Sequence, residues 1–251
     1  MEYIRLIIFF LTGLVFGTGL MLAFQRMPEQ WLMDYGDDDH EAVAVARRRF
    51  FRSPFPGVFS LLLVDGLVFA ISWLVLGPVP ELAVILLLAQ PLLLIMVSDL
   101  LTKIIPDQLV IALIPGGIAL WLIDSLSGRS EWLAGLGLRV LAGLAAGFFL
   151  FGCGWLAAKI MHREAMGMGD VKLLAACGFL TGLADLPFLF FLSFITAALV
   201  AVPMLLKRLR NPDAEPEIAF GPYIALATLL VLVLNSQLHS LWLLYLGLAT
   251  N

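Results

Sequence analysis

Eight apolar runs, parted by clusters of proline, glycine and charge, dictate most of what this chain can become. A helix crosses a bilayer with roughly 20 apolar residues. Runs suited to that role fall at 3–24, 58–77, 81–100, 107–124, 133–160, 186–206 and 219–234, with a shorter one at 171–184 and an apolar tail at 241–249. Hydrophobic residues make up 61% of the 251 positions and charged residues only 14%, against about 25% charged in a soluble domain. The expected fold is all-α, a polytopic transmembrane helix bundle of about eight spans in one membrane domain over 1–251. The first run outlasts the apolar core of about 7–15 residues found in signal peptides, so it is expected to remain as a spanning helix. No internal repeat is visible.

The breaks between runs have a chemical logic. Gly77-Pro78-Val79-Pro80 parts the second span from the third, and Asp185-Leu186-Pro187 stands between the sixth and seventh. Asn211-Pro212-Asp213 and Glu215-Pro216-Glu217 mark a polar loop before the last span. Pro106 suits the first turn of the fourth span, where its missing N–H costs nothing, and Asp107 beside it favours the positive end of the helix dipole.

Charge then orients the bundle. Alternate loops carry Arg26, Arg47, Arg48, Arg49 and Arg52, then Lys103, then Lys159, Arg163 and Lys172, then Lys207, Arg208 and Arg210; these are twelve of the fifteen Lys and Arg. The opposite side holds Arg5, Arg129 and Arg139. The positive-inside rule places the rich side in the cytoplasm and the N-terminus outside, as a multi-pass membrane protein. The main polar segment, 25–57, is then a short cytoplasmic loop between the first two spans. It joins an acidic cluster, Asp37-Asp38-Asp39 with Glu41, to the basic run Arg47-Arg48-Arg49, a pattern of a solvated segment with a juxtamembrane anchor.

Several function classes drop out. No basic run adjoins interleaved aromatics, so nucleic acid is not an expected partner. Cys153 and Cys177 form no C-x-x-C pair and both lie in apolar runs, which reads as buried small hydrophobes. His40 beside the aspartates has no standard ligand spacing, and no metal or cofactor is expected.

Two carboxylates carry the chemistry. Asp170 opens the short sixth span behind Gly167 and Gly169, and Asp99 closes the third. An acid at the membrane is costly and marks a functional site by default. The loop assignments put both on the cytoplasmic face. Two carboxylates close together in low dielectric share a proton, so one activates a water while the other donates to a carbonyl. Such a pair titrates as a unit, and acid and base are not assigned to individual residues. Lys103 and Lys172 are placed to hold one carboxylate ionised, or else are cytoplasmic anchors. Gly167 and Gly169 permit close approach of a substrate strand, or else simply lead into a helix that Asp170 caps.

The residues around both acids resemble a family. The stretch Glu164-Ala165-Met166-Gly167-Met168-Gly169-Asp170-Val171-Lys172-Leu173-Leu174 is similar to the second catalytic block of the type IV prepilin peptidases, the bacterial GxGD intramembrane aspartyl proteases. Ser98-Asp99-Leu100-Leu101-Thr102-Lys103-Ile104-Ile105-Pro106-Asp107-Gln108-Leu109 resembles their first block. Phe220-Gly221-Pro222-Tyr223 resembles the Phe-Gly-Pro block that opens the last helix, and Gly17-Thr18-Gly19-Leu20 with Arg26-Met27-Pro28 resembles the entry motif. The resemblance implies catalytic Asp99 and Asp170, with Lys103, Pro106, Gly167, Gly169, Lys172, Gly221 and Pro222 supporting the site. It implies as substrate a prepilin or pseudopilin, with a basic leader ahead of an apolar helix, cut at the cytoplasmic face. Many members also N-methylate the product through a domain with two Cys-x-x-Cys pairs between the first two helices. Here that region spans about 30 residues without a cysteine, so no such zinc-stabilised domain forms from it. N-methylation and S-adenosylmethionine are therefore not carried over.

The competing reading is a proton- or cation-coupled secondary transporter using the intramembrane aspartates. Transporter sites lie near the midplane in paired broken helices, whereas these acids share one face. A non-catalytic assembly subunit is disfavoured by the intact acids, and a presenilin-like protease by Ser98 where that group's motif has Tyr.

Overall fold

Helices account for all the regular structure in the computed structural model among its described residues, which are 2–33, 40–52, 57–162, 166–210 and 219–247. In chain order they are α1 (Glu2–Arg26), α2 (His40–Arg52), α3 (Phe59–Leu76), α4 (Pro80–Thr102), α5 (Asp107–Leu126), α6 (Trp132–Met161), α7 (Met168–Thr181), α8 (Leu186–Arg210) and α9 (Gly221–Tyr245). Seven of these are long and apolar enough to cross a membrane. The all-α, multi-pass expectation is thus borne out. The remaining expected span, the short sixth, is α7, whose 14 residues reach only about 21 Å. The acidic cluster Asp37 to Asp39, Arg163 to Ala165 and the polar loop 211–218 lie outside the described residues.

Local chemistry sets the ends. Gly77 takes φ +66°, open to residues without a Cβ, and its N–H bonds back to the Trp73 carbonyl at 2.9 Å to close α3. Pro80 then starts α4 at a position that needs no N–H. Pro106, extended, precedes α5, with Asp107 in the first turn as expected. Several boundaries differ from the sequence reading, two of them at functional or polar residues. Helix α7 begins three residues earlier than the expected 171, so Asp170 lies inside its first turn. The expected end at 234 followed by a separate tail is replaced by one helix to Tyr245, kinked at Leu234 (φ −99°, ψ 18°). The polar stretch that looked like a break is helical because Asn235 and His239 find a buried partner in Asp185.

The chain divides into two compact units, Met1–Gly137 and Leu138–Asn251. In the first, α1 lies along α3 and α4 packs on both α3 and α5. Contact between α1 and α3 is very close: a Cβ on Gly13 would stand 2.7 Å from the Asp65 carbonyl oxygen and from Gly66 Cα. Small residues at such crossings let helix backbones approach in lipid, where packing rather than water exclusion holds helices together. More than half of the apolar window of α4 is buried (56%), more than in any other candidate span. Leu92, Leu93 and Ile95 form its inaccessible centre. Helix α2 is fastened to the end of α1: Phe24 is wholly buried against Phe50 and Phe51, and Arg47 lies over the Phe24 ring while donating to the Met27 carbonyl. Burial lowers the Arg47 pKa, with Glu29 acting in the opposite direction.

In the second unit α7 interlocks with α6. A Cβ on Gly178 would meet the Ala142 carbonyl oxygen and Ala146 Cβ, each at 2.8 Å, and one on Gly143 would meet the Ala175 carbonyl oxygen at 2.8 Å. Helix α9 packs against both α7 and α8.

Candidate active site

Asp99 occupies the last full turn of the most buried span and is itself 4% exposed. The turn around it is pinned on all sides. Lys103 takes φ 58° and its N–H bonds to the Asp99 carbonyl at 2.9 Å, closing α4. Ser98 Oγ donates to the Ile104 carbonyl at 2.7 Å, and Thr102 Oγ1 donates to the Ser98 carbonyl at 2.9 Å. Pro106, buried, then turns the chain into α5. Asp99, Lys103 and Pro106 therefore share one rigid helix–turn–helix corner of the first unit. Lys103, expected to act through its ammonium, has an exposed side chain and a defined backbone role as the left-handed cap.

Asp170 is the third residue of α7, half-buried, with its Oδ1 fully buried. Gly167 is the N-cap residue in extended conformation (φ −73°, ψ 142°), and a Cβ there would touch Asp170 Oδ2 at 3.7 Å, an ordinary contact. Gly169 follows inside the first turn, half-buried, and Lys172 points its side chain to an exposed position. A carboxylate in a first turn is favoured by the unsatisfied N–H groups there. Gly221 and Pro222 are buried at the start of α9. These six residues belong to the second unit. The far end of α7 stops at Gly182, whose φ of +87° suits a residue without a Cβ. Arg139 covers that end, donating to the Phe179 and Leu180 carbonyls.

Three polar features escaped the sequence reading. Asp65, fully buried in α3, accepts a hydrogen bond from Gln90 Nε2 of α4 at 3.1 Å. Its signal was available, since a lone acid within an apolar run is costly by itself. Asp185, read as a turn residue, receives Asn235 Nδ2 at 2.6 Å and sits 2.7 Å from His239 Nε2. At the opposite end of the α4–α5 hairpin from Asp99, Arg129 bonds to Glu81 and lies 3.2 Å from Asp124; its hydrogen bond to Glu81 pushes its pKa up. Among the described residues no three His, Cys, Asp or Glu side chains group to hold a metal ion.

Comparison with known proteins now bears on these residues. Residues 85–202 match the type IV leader peptidase family, a segment that contains both Asp99 and Asp170. The chain is 35% identical over 142 residues to a "Prepilin leader peptidase/N-methyltransferase" of Aeromonas hydrophila, covering 57% of this chain and 46% of that protein. A protein of the same name from Pseudomonas aeruginosa is 33% identical over 162 residues, 64% of this chain and 53% of its own length. One from Pectobacterium carotovorum subsp. carotovorum is 28% identical over 205 residues, covering 82% and 66%. The chain spans about half the length of the first two. No solved structure matches it. The resemblance read from the two Asp blocks is thereby borne out.

Proposed function

We propose that this chain, a relative of the type IV leader peptidases, is a membrane-embedded aspartyl endopeptidase that removes the basic leader from prepilins or pseudopilins. The observation that carries the reading is the setting of the two acids. Asp99 is buried at the end of the most enclosed span, Asp170 has one carboxylate oxygen buried in the first turn of α7, and both lie in the segment that matches the family.

In the proposed reaction the two aspartates act as a pair. The ionised carboxylate takes a proton from a water molecule, whose oxygen attacks the scissile carbonyl carbon. The protonated carboxyl gives its proton to the carbonyl oxygen. Collapse of the tetrahedral diol breaks the C–N bond: the departing nitrogen takes the proton held by one carboxyl, and a diol hydroxyl gives its proton to the other carboxylate. Gly167 and Gly169 leave room for the substrate backbone beside Asp170. Lys103 and Lys172, both exposed near an acid in sequence, supply positive charge to the site. Pro106 shapes the start of α5 after Asp99, and Gly221 and Pro222 shape the start of α9. The charge pattern supports a cytoplasmic-face site with the N-terminus outside.

The relatives' names carry a second activity, N-methyl transfer. The segment between the first two spans here contains no cysteine and holds a short turn and α2. That supports a peptidase acting without methylation and without S-adenosylmethionine.

The test is direct. The purified protein in detergent, incubated with a panel of prepilin-type substrates, releases a leader whose mass fixes the cut ahead of the apolar helix. A panel left intact under conditions that keep the protein folded counts against the peptidase reading.

A further inference from the structure

A groove of about 650 Å³ runs along α4 in the first unit, between α1 and α5. Its lining is apolar apart from one amide, that of Gln90. Small residues face it, Gly19 and Ala23 at a four-residue spacing on α1 and Ala112 on α5. Pro91, next to Gln90, stands in the interior of α4 and has no N–H, so the Leu87 carbonyl receives no bond from it. Gln90 is held in place, since its Nε2 donates to Asp65 Oδ1 at 3.1 Å and to the Leu86 carbonyl at 3.2 Å. The polar spot in the groove is thus built by three helices, because α1 packs directly on the Asp65 backbone.

The groove and the candidate catalytic corner share a helix. Gln90 precedes Asp99 by nine residues on α4, about 13 Å along the axis at the α-helical rise. Leu109, two residues beyond Asp107, also lines the groove. It therefore extends from mid-span towards the turn that carries Asp99.

We propose that this groove receives the apolar helix of the substrate, the segment that follows the basic leader; the proposal rests on the peptidase reading above. A lipid acyl chain has no group to meet the Gln90 amide oxygen, the acceptor left on the one polar side chain of the lining, whereas a polypeptide helix brings side-chain donors. Small residues on α1 and α5 let a helix backbone approach closely, the arrangement that pairs helices within bilayers. A helix lying along α4 with its N-terminus at the cytoplasmic end brings the preceding peptide bonds to the depth of Asp99. An endopeptidase that cuts at the membrane face requires that alignment, and positioning of this sort is a large part of a barrier reduction.

Site-specific photo-cross-linking tests it with the full chain in phospholipid nanodiscs. Benzoylphenylalanine replaces Gly19, where a Cβ meets nothing within 4 Å, or exposed Ala112; a control position is Leu133, 87% exposed and outside the groove. The substrate carries a basic leader and an apolar helix. Adducts from positions 19 and 112 to the apolar helix, and none from 133, are the expected result. Adducts to lipid alone, to the leader alone, or equally from 133 overturn the proposal. A second variant, Gly19→Phe, fills the groove and is expected to raise KM about tenfold while kcat stays within about twofold, the mark of lost ground-state binding. An unchanged KM contradicts the proposal. Cleavage by the unmodified protein is read separately. Cutting without groove adducts leaves the peptidase and removes the groove, and adducts without cutting do the reverse.

Discussion

His239 Nε2 lies 2.7 Å from Asp185 Oδ1, while Asn235 Nδ2 donates to the other oxygen of the same carboxylate at 2.6 Å. One acid thus fastens the kinked last helix to the turn that leaves α7, with Phe188 packed edge-on against the imidazole at 5.2 Å between ring centres. Asp185 is buried, so its carboxylate depends on these two partners for its hydrogen bonds.

Replacing that acid should loosen the second unit. Asp185→Leu is expected to lower the melting temperature in detergent, by a stability change of about 1 kcal/mol, the size measured for polar contacts between membrane helices. Asp185→Asn, which keeps an acceptor, should lose less. Differential scanning fluorimetry on both variants checks the order, and equal melting temperatures would show that the clamp contributes nothing.

The α6–α7 crossing makes a steric prediction. Gly178→Leu places atoms where the Ala142 carbonyl and Ala146 now stand, both 2.8 Å from a built Cβ, and neither is a flexible side-chain end. The cost is expected to be about 1–3 kcal/mol, typical of overpacking, and α7 with Asp170 should shift. Gly152→Ala, where a Cβ meets nothing within 4 Å, serves as the neutral comparison. Thermal stability and cleavage rate should fall together for Gly178→Leu and stay level for Gly152→Ala.

The Asp65–Gln90 bond should behave as a structural tie. Asp65→Asn retains an acceptor for the Gln90 amide and should preserve stability to within about 1 kcal/mol, whereas Asp65→Leu leaves Gln90 without its α3 partner and should cost about that much or more. Cleavage by Asp65→Asn should remain near that of the unmodified protein. A complete loss of activity in that variant would make Asp65 part of the chemistry.

How much of this was legible beforehand follows from where the information resides. Span positions follow from local hydropathy, and prolines and glycines such as Gly77, Pro80 and Pro106 mark their ends because their backbone limits are intrinsic. The Asp99 and Asp170 blocks were legible because family resemblance encodes them in contiguous residues. Asp65 carries a signal of its own, an acid inside an apolar run, but its partner Gln90 lies 25 residues away on another helix. The continuity of α9 was hidden for another reason. Asn235 and His239 look like a break until Asp185, fifty residues or more away, is known to face them. Lys103 shows the same limit at short range, since its left-handed backbone is set by the sharp turn between α4 and α5 rather than by its own preference.

The central claim is that Asp99 and Asp170 together cut a prepilin-type substrate. The measurement that tests it most directly is the leader-release rate, by mass spectrometry, for the unmodified protein, Asp99→Asn, Asp170→Asn and the double variant, with insertion and melting temperature checked for each. Each single change should abolish product as fully as both together, since neither carboxyl alone can both activate water and protonate the carbonyl, and losses within one catalytic unit do not add. Near-normal release from either folded single variant would contradict the two-aspartate mechanism.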